Sequence, residues 1–157
     1  MIRAAAPEDV PLILQLIREL AEYERLAHEV RATEARLHAT LFVPHPAAEV
    51  VIAELDSTPV GFAVFFASYS TWEATPGLYL EDLFVRPEAR GRGVGRELLE
   101  HVARLTVARG WARLEWRVLD WNEPSIAFYR RLGGEPLDDW TVFRVTGDSL
   151  KKLAKSG

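Results

Sequence analysis

Apolar residues recur along this chain with two different periods, and each change of period marks an element. Val10, Ile13, Ile17 and Leu20 follow helical spacing, and Pro7-Glu8-Asp9 puts a proline and two acids where a first helical turn favours them. Met1–Ala5 ahead of it is predicted as a short strand. Thr33-Glu34-Ala35-Arg36 opens a second helix running to Phe42, with Pro44 and Pro46 breaking it. Glu49–Leu55 and Val60–Ala67 are strand-like, and Asp56-Ser57-Thr58-Pro59 between them predicts a hairpin turn. Leu78–Val85 is the next strand, apolar enough for a central position. Val94, Leu98, Val102 and Leu105 form the buried stripe of the main helix, Arg96, Glu100 and Arg104 its wet side, and Gly110 its stop. Leu114, Trp116 and Val118 alternate with Glu115 and Arg117, a period of two that predicts a strand. Ser125–Leu132 is a short helix ending at Gly133, Thr141–Val145 a last strand, and Ser149–Ala154 a last amphipathic turn or two. Strands alternating with helices predict a mixed α/β sheet with helices on both faces. With no repeat, low-complexity tract or linker, residues 1–157 are expected to form a single domain.

The most informative stretch joins the strand ending at Val85 to the helix starting at Val94: Arg86-Pro87-Glu88-Ala89-Arg90-Gly91-Arg92-Gly93-Val94-Gly95-Arg96. Glycines let the backbone approach a ligand closely and adopt positive φ. The unpaired amides of a new helix, together with its dipole, favour an anion, and Arg90, Arg92 and Arg96 add full charges. The segment therefore predicts a phosphate-bearing cofactor. The spacing of Gly91, Gly93 and Gly95 is G-x-G-x-G, not the G-x-G-x-x-G of dinucleotide folds, and Arg96-Glu97 stands where a mononucleotide loop needs Lys-Ser/Thr.

The pattern Arg90-x-x-Gly93-x-Gly95 resembles the acyl-CoA pyrophosphate loop of the GNAT superfamily of N-acetyltransferases. Three further segments resemble its diamine (spermidine/spermine) and thialysine branch: Leu16-Ile17-Arg18-Glu19-Leu20-Ala21-Glu22-Tyr23-Glu24, Tyr79-Leu80-Glu81-Asp82-Leu83-Phe84-Val85, and Trp121-Asn122-Glu123-Pro124-Ser125-Ile126-Ala127-Phe128-Tyr129. The resemblance spans nearly the whole chain. It implies a mostly antiparallel central sheet with a splayed central strand pair, acetyl-CoA as cofactor, and a homodimer. It also implies that the main chain of Leu83, Phe84 and Val85 meets the pantetheine arm, and that Arg90, Gly91, Arg92, Gly93, Val94, Gly95 and Arg96 hold the pyrophosphate. Asn122 is assigned to the cofactor, and Ser125 either to the cofactor or to a helix cap.

Acetyl transfer to an amine requires two protons to be managed. A primary alkylammonium with pKa near 10.4 is only about 0.04% neutral at pH 7, a cost of roughly 4.6 kcal/mol. Glu81, at the strand end beside the loop, is the expected acceptor, directly or through water, although an ordinary glutamate lies some six units below the amine. The resemblance makes Tyr129 the proton donor to the departing thiolate. An acidic, aromatic groove of Tyr23, Glu24, Trp72, Glu81, Asp82, Asp138, Asp139 and Trp140 would recognise a cationic amine. Asp138-Asp139 reads equally as a turn, and Trp72 and Trp140 equally as packing. Where the polyamine branch has Tyr-Asp-Pro-Trp, this chain has Tyr69-Ser70-Thr71-Trp72, and the acidic turn before the last Trp is shortened. Fewer carboxylates make a small amine, such as a lysine analogue or amino acid, as good a candidate as a long polyamine.

Composition narrows the alternatives. A net charge of −4 speaks against a nucleic-acid surface and fits a cationic substrate. No apolar run approaches membrane-spanning length and no secretory pattern opens the chain, so a cytoplasmic protein is expected. The absence of cysteine removes a thiolate nucleophile, and the four histidines, His28, His38, His45 and His101, share no metal-ligand spacing, so no metal is expected. An idle acyl-CoA sensor and a protein-lysine acetyltransferase are the rival readings; retention of both Glu81 and Tyr129 counts against the first.

Overall fold

In a computed structural model describing residues 1–155, the chain forms two compact units, Met1–Leu119 and a second starting at Asp120. The first unit holds a five-stranded sheet in the order β1 (Ile2–Ala4), β2 (Glu49–Leu55), β3 (Thr58–Ser70), β4 (Thr75–Val85) and β5 (Leu114–Trp116). Neighbours are antiparallel except β4 and β5, which run parallel. The strand expected to be central, β4, is interior, between β3 and β5.

The β2–β3 turn is tighter than predicted. Only Asp56 and Ser57 form it, with φ of 48° and 62°, the two-residue geometry whose twist matches a hairpin. Thr58 and Pro59 already belong to β3, opposite Leu55 and Glu54. A register shift at Ala53/Glu54 interrupts the ladder there and accommodates the proline.

Ile52, Phe62 and Phe84 lie opposite one another across β2, β3 and β4. They close a core with Ile13, Leu16 and Leu20 of α1 (Val10–Tyr23). Leu14 and Leu16 are buried and Ile17 only half-buried, a wider stripe than the sequence pattern marks, because α2 (Glu34–Leu41) also packs on α1. Residues of the alternate parity face the other way, where Val51 and Phe65 share a cleft wall with His101 and Leu105 of α3 (Val94–Ala108). Leu98 and Val102 of α3 are fully buried, and Thr106 replaces the expected Leu105 as the last core position. Its hydroxyl donates to the Val102 carbonyl at 2.9 Å, which satisfies the buried polar group. Arg86, just past β4, forks onto both carboxylate oxygens of Glu19 at 2.9 Å and onto the Pro59 carbonyl at 3.0 Å. This bidentate pair ties α1 to the end of β4.

Two strand predictions are corrected. β5 stops at Trp116 instead of continuing to Val118, because β4 and β5 pair only from Leu78↔Leu114 to Leu80↔Trp116. Beyond that pair the two parallel strands splay. The second unit contains α4 (Glu123–Arg131) and α5 (Gly147–Ala154). Thr141–Val145 is not a strand: a strand exists only through pairing, and no neighbour in its own unit supplies an edge.

Candidate active site

The register of β3 on β4 shifts between Val64 and Phe65: Val64 faces Asp82 and Phe65 faces Leu80, which leaves Glu81 as an extra residue. Such a bulge breaks strict alternation. Tyr79, opposite Phe66, and Asp82, opposite Val64, therefore share a face with Phe84, opposite Phe62, which is the face that α1 covers. Glu24 at the C-terminal cap of α1 brings a third carboxylate to Glu81 and Asp82.

The electrostatic consequence falls on Asp82. Burial, then the charge of Glu81, then that of Glu24 push its carboxyl up to about 7. Glu24 is raised too, first by burial and then by Glu81. Among the described residues no cation offsets these effects on Asp82. Nor do His, Asp or Glu side chains among them form a group of three that could hold a metal. An exposed Glu81 beside a half-buried Asp82 whose carboxyl is pushed up to about 7 can attract an ammonium group and take a proton from it. Sequence reasoning placed Asp82 only among the substrate contacts. The signal was present: two consecutive acids within Leu80-Glu81-Asp82-Leu83 cannot both face solvent on a regular strand.

The glycine loop follows directly. Gly91 and Gly93 have φ of 73° and 83°, left-handed values that cost a side-chain-bearing residue about 1–2 kcal/mol. A Cβ at either would meet no atom within 4 Å, so conformation and not crowding calls for glycine. No side chain caps the N-terminus of α3. The first backbone bond of the turn runs from the Glu97 amide to the Gly93 carbonyl, so the amides of Val94, Gly95 and Arg96 precede it and remain available to an anion. Arg92 is exposed, and Arg96 donates to Glu100 at 2.7 Å. Arg90, expected on phosphate, directs its Nε to the Val85 carbonyl at 2.9 Å and sets its guanidinium 4.6 Å from the Tyr23 ring centroid and 5.8 Å from that of Phe84. It thus links the loop to β4 and to the end of α1. Among the described residues, the Glu81–Val85 stretch of β4 faces no strand on the β5 side, the edge expected for the pantetheine arm at Leu83, Phe84 and Val85.

One further pair lies on this face. Arg117, immediately beyond β5, donates its Nε to the Tyr79 hydroxyl at 2.7 Å. Trp72, by contrast, sits 85% exposed in the β3–β4 turn. It is about 20 Å of strand away from Glu81. In that turn the buried Ser70, standing where the polyamine branch has aspartate, accepts from the Glu73 amide at 3.2 Å.

In the second unit, Asn122 is buried and caps α4, accepting from the Ser125 amide at 3.4 Å. The helix thus begins at Glu123, two residues earlier than predicted, and the cap is Asn122 and not Ser125. Tyr129 is half-buried on α4 with its ring 5.2 Å from that of Phe128. Asp138 and Asp139 form a turn closed by the Trp140 amide on the Leu137 carbonyl at 3.3 Å, and Trp140 is 69% exposed.

The sequence profile of the acetyltransferase (GNAT) family matches residues 12–134. The thialysine N-epsilon-acetyltransferase of Bos taurus is 39% identical, over 98% of this chain and 96% of that protein. The L-ornithine N5-acetyltransferase of Arabidopsis thaliana is 33% identical, over 98% of this chain and 87% of that protein. Among solved structures, an integron cassette protein from the mobile metagenome of V. cholerae superposes with a TM-score of 0.83 at 26% identity, covering 99% of this chain and 98% of that one.

Proposed function

Because the chain belongs to the acetyltransferase (GNAT) family and is an N-acetyltransferase of its thialysine and spermidine/spermine branch, we propose that it acetylates a primary amine of a small cationic substrate from acetyl-CoA, by direct attack in a ternary complex. The observation that carries this reading is the gathering of Glu24 and Glu81 around Asp82 at the bulge of β4, together with an α3 N-terminus that is uncapped and glycine-led. The first suits an ammonium ion and the second a diphosphate.

The residues present fit the cofactor. The amides of Val94, Gly95 and Arg96, with Arg92 beside them, would hold the pyrophosphate, and the open edge of Leu83–Val85 would hold the pantetheine arm as an added strand. When bound, acetyl-CoA supplies the activated acyl group. The Glu81–Asp82 pair accepts the amine proton. Asp82 is the better matched of the two because its carboxyl is held near 7, which removes about three of the six units separating an ordinary carboxylate from the amine. Arg90 positions the Val85 end of β4. Tyr129 donates a hydrogen bond, and then the proton, to the departing sulfur. Replacing Gly93 with Ala forces a side-chain-bearing residue to φ of 83°. The KM for acetyl-CoA is expected to rise about 10-fold, with the amine KM within twofold, both read from initial rates.

A thiol-release assay with spermidine, short diamines, thialysine, amino acids and a lysine peptide tests the whole reading. Thiol released with one or more free amines is the expected result. Tight coenzyme A binding without turnover on any amine would establish the sensor instead. We include a homodimer in the proposal, supported by the exposure of Trp140 (69%), Val142 (64%) and Phe143 (91%) in one short segment; sedimentation equilibrium at the mass of one chain would remove it.

A further inference from the structure

We infer that Arg117, held by the Tyr79 hydroxyl, binds the carboxylate of an amino-acid substrate whose distal ammonium sits at Glu24, Glu81 and Asp82, making it the residue that selects diamino acids over diamines and polyamines. The inference rests on the proposed amine acetylation at this face.

Register places the pair. Leu80↔Trp116 is the last β4–β5 contact, so Arg117 is the first residue where the strands part, abreast of Glu81. Tyr79 faces the same way as Asp82 because of the bulge. Its ring packs 5.2 Å from that of Phe66 and 5.8 Å from the Arg117 guanidinium carbon. Tyr79 and Asp82 are three positions apart, at most about 10 Å of strand, a span suited to the two charged ends of a diamino acid.

Arg113, at the other end of β5, contacts the Glu115 carboxylate at 3.3 Å. The hydrogen bond of Arg117 goes to a neutral phenol through Nε, and no ion pair joins it to a carboxylate of the described residues. Its two terminal nitrogens keep the fork that matches a carboxylate bidentately. The side chain is exposed and therefore reachable by a ligand. A guanidinium at one end of an acidic site attracts a carboxylate and repels a second ammonium, so the same charge selects for one class and against the other.

The test is the ratio of kcat/KM for L-ornithine to that for 1,4-diaminobutane, the same amine without its carboxylate. The wild type is expected to favour ornithine. Arg117→Ala should lower the ratio about 10- to 100-fold. Arg117→Lys should restore part of it, and Arg117→Glu should reverse the preference by making the diamine the better substrate. Because Arg117 lies outside any regular element and is exposed, the variants keep the fold. A wild type that prefers the diamine, or a ratio within twofold of wild type in both the Ala and Glu variants, overturns the inference and leaves the proposed function standing. A wild type that acetylates no amine at all overturns the proposed function, and the inference with it.

Discussion

Asp82→Asn is expected to lower kcat/KM at pH 7 by at least about 10²-fold, the low end of what a positioned general base contributes, while making the protein more stable at pH 8. The two effects have one cause. Burial first, then Glu81 and Glu24, disfavour the charged form of Asp82 and hold its carboxyl near 7. Between about pH 4 and pH 7 the folded chain retains a proton that the unfolded chain, with an ordinary aspartate, has lost. The unfolded state binds fewer protons there, so stability falls as pH rises through this window and is level above it. A shift of about three units corresponds to a loss of order 2–4 kcal/mol. Asparagine has the same shape and no charge, so the variant escapes that fall. At pH 8 its unfolding midpoint should exceed that of the wild type by several degrees, at about 2–4 °C per kcal/mol for a chain of this size. The difference should vanish near pH 4. Calorimetric scans from pH 4 to 8 decide the matter: parallel curves would mean that Asp82 titrates like an exposed carboxylate. The activity profile gives an independent reading. The acid limb of kcat/KM should lie near pH 7 in the wild type. Glu81→Gln should move it to lower pH, because one of the charges that raise Asp82 is gone.

Tyr129→Phe is expected to lower kcat by about 10²- to 10³-fold, with the affinity for coenzyme A changed by no more than a few fold. A phenol near pKa 10 is poorly driven to protonate a thiolate near 8.5, a difference of about 2 kcal/mol. Much of the loss is therefore that of a strong hydrogen bond to developing negative charge. Phenylalanine keeps the ring that packs beside Phe128, so the unfolding midpoint should move little. Pre-steady-state measurement of the acetyl transfer step, with coenzyme affinity measured separately, distinguishes the roles. An unchanged kcat would remove Tyr129 from the chemistry and leave it as a packing residue of α4.

Much of this protein follows from short stretches of chain. The buried stripes of α1 and α3 were legible because helical spacing is a local property, and so was the sheet class from alternating strands and helices. The glycine loop was legible for the same reason: left-handed φ at Gly91 and Gly93 and free amides at a helix start involve only neighbours in sequence. Local propensity misjudged Val118 and Thr141–Val145, which have the residues of a strand but no edge to pair with. Tertiary structure alone decided the character of the site. The bulge at Glu81 is set by the register of β4 on β3, the reach of Glu24 to Asp82 by the packing of α1, and the hold of Tyr79 on Arg117 by the parting of β4 from β5. A residue's type fixes which charge it can carry. Whether Asp82 carries it at neutral pH depends on the water removed and the charges gathered around it, and these are brought there by parts of the chain far apart in sequence.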